Sequence, residues 1–128
     1  MTAEVRARVT RELEKVSWKT KLVESPDAVI YYALPSTLGV ANSDVLVLVP
    51  GGYAQSMIDG AYLPQGSPLI GIVKGQPQHQ SVVAADGRNW VLISYHPHNG
   101  GGAPAWDPTR HGFHTYLDEV VSWLSVKR

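Results

Sequence analysis

Ser94, His96 and His98 lie close together in a chain of 128 residues that holds no cysteine at all. A hydroxyl beside imidazoles is the raw material of nucleophilic and acid–base chemistry. An imidazole with an ordinary pKa of about 6.5 exchanges protons readily at neutral pH. His96 is the nearest base to Ser94, although residues two apart in extended backbone share a face without having to meet in hydrogen-bond geometry. His98 is the second choice, because Pro97 fixes the backbone between the two rings. The spacings His96-x-His98 and His111-x-x-His114 are also ones that metal sites use. No thiolate is available and no acidic pattern stands ready to orient the rings, so neither a metal nor a cofactor is expected.

Groups of this kind need elements to hold them. Trp90 to Ile93 is an apolar run between turn residues and reads as a buried strand that ends just before Ser94. Asn99 to Pro104 carries three glycines and a proline, which forbid regular structure. Asp107-Pro108 then supplies an N-cap candidate followed by proline at a first helical position. Phe113, Leu117, Val120, Val121 and Leu124 share one helical face, so the chain returns to its core as a helix ending near Leu124. Polar side chains on a loop pinned at both ends are a common arrangement for a site.

Upstream, Val5, Val9, Leu13 and Val16 form one stripe of a helix over 3–16, capped by Thr2. Arg6, Arg8, Arg11, Glu12, Glu14 and Lys15 are assigned to its solvated remainder. Short β-patterned runs at 18–23, 28–34 and 44–49 predict an antiparallel meander, with Ser25-Pro26-Asp27 as turn chemistry. Tyr53 to Gly66 has neither period and reads as an irregular segment packed down on the sheet. Residues 68–73 are a candidate fourth strand, and 74–87 an exposed excursion. The expected core includes Leu13, Val29, Leu46, Trp90, Leu117 and Val121. The expectation is a single α+β domain spanning 1–128.

Eleven basic residues balance eleven acidic ones. No basic stripe points to nucleic acid and no basic amphipathic helix points to a membrane surface. The N-terminus opens on alternating charges rather than an apolar core, and no apolar run approaches the roughly 20 residues of a membrane span. A cytoplasmic protein is expected.

The order of helix, meander, packed irregular segment, polar loop and helix resembles the ubiquitin-conjugating (E2, or UBC) fold. At residue level the chain is similar to prokaryotic E2 family E. Pro50-Gly51-Gly52-Tyr53-Ala54, followed by Ile58-Asp59, resembles that family's Pro-x-Gly-Tyr-Pro segment. Gly87-Arg88-Asn89-Trp90, with Ser94-Tyr95-His96, resembles its Gly-Arg block. Trp106-Asp107-Pro108, followed by His114-Thr115-Tyr116-Leu117, resembles its ending. The departures are Ala54 in place of proline, Thr109 where glycine is usual, and the missing cysteine.

The resemblance implies a UBC-like fold with three to four strands, and a place in a bacterial ubiquitin-like conjugation pathway. Its implied partners are a ubiquitin-like protein and an E1-like enzyme. It puts the thioester cysteine's counterpart around Ser94 to His98. Ser94 would then carry an acyl group as an oxyester with His96 as base, and Tyr53, His98 and Trp106 would meet a partner. The chain is accordingly a cysteine-less adaptor, or an E2 whose nucleophile is not cysteine or has been engineered away. The alternatives are a protein-binding module of the RWD or UEV kind outside any such pathway, and a histidine-based metal-binding domain.

Overall fold

The computed structural model describes residues 1–35, 42–58, 60–70, 77–93 and 105–124. Helix α1 spans Ala3–Leu13, and strands β1 to β3 span Thr20–Val23, Ala28–Leu34 and Ser43–Leu48. Strands β4 to β6 follow at Ala61–Pro64, Pro77–Ala85 and Arg88–Ile93, and helix α2 spans Phe113–Leu124. The strands form one six-stranded antiparallel sheet in the order β1-β2-β3-β4-β6-β5. The register sets Leu22 opposite Val29, Val29 opposite Val47, Leu46 opposite Tyr62, and Tyr62 opposite Leu92.

Side chains alternate across a strand, so each strand serves two faces. Val29, Tyr31, Val45, Val47, Leu63 and Ile93 point to the face covered by α2 and by Val9 of α1. Phe113, Tyr116, Leu117, Val120, Trp123 and Leu124 bury the whole apolar side of α2 there. Ile30, Leu46, Tyr62 and Trp90 gather on the opposite face. Thr2 caps α1 through a bond from the Val5 amide to its hydroxyl, 3.1 Å long.

The mixed helix-and-sheet architecture is the expected one at a coarse level, but six strands replace the three or four foreseen. The segment expected to be irregular contains β4, and the polar excursion at 74–87 contains β5. In the candidate fourth strand, Pro68 to Ile70 form turns instead, with the Ile70 amide bonded to the Ser67 carbonyl at 3.2 Å. Residues 71–73 of that stretch lie outside the described residues. Helix α1 stops at Leu13, short of Val16, and β1 begins at Thr20, which leaves Trp18 42 % exposed. Val29, Leu46, Trp90 and Leu117 are core as expected, whereas Leu13 and Val121 are only partly buried. Among the described residues, no helix is long and apolar enough to cross a membrane.

Candidate functional site: a buried carboxylate behind an aromatic wall

Strand β6 ends at Ile93, the residue before Ser94. Ser94, His96 and His98 themselves lie outside the described residues. Tyr53 and Trp106, from the two stretches that flank them in the resemblance, are described and stand together.

Tyr53 sits in the turn after β3, held by bonds from its amide to Pro50 and from the Gln55 and Ser56 amides to the Gly52 carbonyl. Gly52 has φ +78°, and a Cβ there would press on the Ser56 hydroxyl, so the turn favours glycine. The turn aims the Tyr53 ring inward, where it packs 5.2 Å from Phe113 and 6.1 Å from Trp106, centroid to centroid. Its hydroxyl donates to Glu12 Oε1 at 2.6 Å. Burial, then the bond to the Glu12 carboxylate, hold this phenol well above its ordinary pKa, so it stays a neutral donor.

Glu12 is buried, contrary to its expected place on the solvated side of α1. Its Oε1 also accepts the Phe113 amide at 3.0 Å, and its Oε2 accepts Arg8 Nε at 2.8 Å. The carboxylate therefore caps the start of α2 from another helix, and Gly112 lets it approach: a Cβ on Gly112 would overlap the Glu12 carboxylate. Arg8 continues the chain of contacts. Its Nη2 donates to the Pro108 and His111 carbonyls at 2.5 and 3.2 Å, and its guanidinium lies 5.5 Å from the Tyr53 ring centroid.

These bonds fix the 105–112 segment. Trp106 Nε1 donates to the Ala54 carbonyl at 2.9 Å, and the indole lies 5.6 Å from His111. Asp107 does not cap α2 as expected. Its carboxylate accepts from the Thr109 amide and hydroxyl, and its carbonyl from the Arg110 and His111 amides, which makes a separate turn. His111 Nδ1 in turn accepts the Asp107 amide at 2.9 Å, so that nitrogen is committed to the turn. His114 is partly buried. Its Nδ1 has no hydrogen-bond partner among the described residues, and burial lowers its pKa, with Lys15 and Arg8 adding to the effect against Glu12. Among the described residues, no three His, Asp or Glu side chains are grouped to hold a metal ion.

Chemically, this arrangement is a frame. The Glu12 carboxylate is held by three donors and the Tyr53 hydroxyl is spent on Glu12. What the frame does is hold Trp106 half-buried and fix the chain just after the glycine loop. Trp106→Phe should lose the bond to Ala54 and about 1 kcal/mol of stability, read as a lower urea midpoint with an unchanged slope. Glu12, Arg8 and Gly112 were not foreseen as site-forming. Glu12 did carry a signal, because it falls at i+7 from Val5 and i+3 from Val9, on the apolar stripe itself.

No curated protein and no solved structure matches the chain. The model of prokaryotic E2 family E matches residues 8–127, and the chain belongs to that family.

Proposed function

We propose that this chain serves a bacterial ubiquitin-like conjugation pathway as an adaptor that binds pathway proteins without carrying the thioester. The observation that carries the reading is the absence of cysteine from a chain the family matches over 8–127. Transthioesterification needs a group that attacks well and leaves well near neutral pH, and a thiolate meets both needs where a hydroxyl does not. The frame around Glu12 supports the same reading, since it spends its polar groups on rigidity and leaves Trp106 at the surface edge. The partners are of the E1-like and ubiquitin-like classes, and Trp106 with His98 would meet them, with Tyr53 supporting the indole from behind.

A second reading rests on Ser94 being the next residue in the chain after the buried Ile93 that ends β6. In that reading Ser94 carries the acyl group as an oxyester and His96 takes its proton. One experiment separates the two. The protein is mixed with an E1-like enzyme of the family's pathway, ATP and the cognate ubiquitin-like protein. The adaptor reading expects a stable complex with no covalent adduct, weakened by Trp106→Ala. A hydroxide-labile, thiol-resistant adduct that disappears in Ser94→Ala would replace it with the carrier reading.

A further inference from the structure

A groove of about 260 Å³ runs between α1 and the turn at 107–111. Arg11 and Lys15 line it from the α1 side, Arg110 from the turn, and His114 from the first turn of α2. Glu12 is the one acidic residue in the lining, and it is bound to Arg8. Among the described residues, the side chains of Arg11, Lys15 and Arg110 have no hydrogen bond and no ion pair. The whole chain is formally neutral, so three cations with no ion pair among the described residues around one groove are a local feature and not a bulk one.

The carbonyls at the end of α1 favour cations nearby, which accounts for Arg11 and Lys15. They do not account for Arg110, which approaches from the opposing turn. That turn is held by Asp107 from within and by Arg8 on the Pro108 and His111 carbonyls, so Arg110 starts from a fixed backbone. A site set before binding avoids much of the ordering cost.

We propose that this groove binds a compact polyanion of the phosphoryl class, with Arg11, Lys15 and Arg110 neutralising it. The lining excludes the main alternative on physical grounds. A docked acidic peptide draws its affinity from buried apolar anchors, and apart from Pro108 this groove offers only polar and charged side chains. Planar guanidinium groups bind phosphoryl oxygens in pairs, and three cations match two or more anionic groups better than one. The proposal is independent of the pathway role, because it concerns a face whose charges the adaptor reading does not use.

The test is calorimetric titration of the full chain with sodium pyrophosphate, beside a hexaglutamate peptide. Saturable pyrophosphate binding is expected, weakened roughly tenfold by Arg110→Ala or Lys15→Ala singly. These side chains are exposed and make no hydrogen bond or ion pair among the described residues, so the variants should keep the parent's circular dichroism. Arg6→Ala, which removes an α1 charge paired with Glu24 outside the groove, should leave binding unchanged. Absence of saturable binding, equal weakening by Arg6→Ala, or tighter binding of hexaglutamate would each overturn the proposal.

Discussion

Glu12→Ala should destabilise the protein by about 3–5 kcal/mol, a large part of the roughly 5–15 kcal/mol that holds an ordinary domain together. Glu12 is 4 % exposed, and its carboxylate accepts from three donors. Removing it leaves the Tyr53 hydroxyl and the Phe113 amide without their acceptor at a buried position. Each such orphan costs about 1–3 kcal/mol. It also leaves the Arg8 guanidinium with carbonyls but no counter-charge, and Arg8 is what ties the 107–111 turn to α1. Two variants apportion the loss. Tyr53→Phe removes one bond and should cost about 1–2 kcal/mol. Gly112→Ala keeps every donor but forces a methyl into the carboxylate, so it should approach the cost of Glu12→Ala. Urea midpoints measure all three, and a midpoint for Glu12→Ala within error of the parent would show that water reaches this site.

How far the sequence announces this architecture depends on how many neighbours each element has. Strands β2 and β3 lie inside the sheet, and their apolar, β-branched runs were legible for that reason. Strand β5 lies at the edge of the sheet, paired among the described residues with β6 alone, and an edge strand is under less pressure to be apolar. Its polar composition, with Gly75, Pro77 and Gly87 in the same stretch, made it read as an exposed excursion. A signal was present all the same. Asp86 and Gly87 both have positive φ, 54° and 74°, and a two-residue Asp-Gly link between paired strands is strong hairpin chemistry. Strand β4 has four residues and ends in a proline, too short for period to declare it.

The site was legible in its aromatic members and not in its charged ones. Tyr53 and Trp106 belong to family-like segments, and they do come together across 53 positions of chain. Glu12 and Arg8 were read as part of the solvated side of the first helix, where charges usually lie. What buries Glu12 is a contact from the far end of the chain, the Phe113 amide, which no local pattern contains. The start of α2 was misplaced for the same reason. Asp107-Pro108 has the chemistry of a helix start, but the acceptor that begins α2 at Phe113 comes from α1.

The other large effect should come from Trp90→Ala, at about 3–5 kcal/mol. Trp90 is fully buried at the centre of the second sheet face, against Ala28, Ile30, Leu46 and Tyr62. Neither described helix contributes to that cluster, so the indole itself supplies much of its volume. Its Nε1 donates to the Ala85 carbonyl at 3.0 Å, and the Arg88 guanidinium lies 4.6 Å from the ring. The substitution thus opens a cavity and strips a bond from the β5–β6 hairpin in one step. Trp90→Phe keeps a ring, loses that bond and should cost less than half as much. Trp90 also lies in β6, the strand whose last residue is Ile93. Under the proposed role, any partner binding should fall in step with the folded fraction near the variant's midpoint. An unchanged urea midpoint in Trp90→Ala would mean that this face packs without its indole.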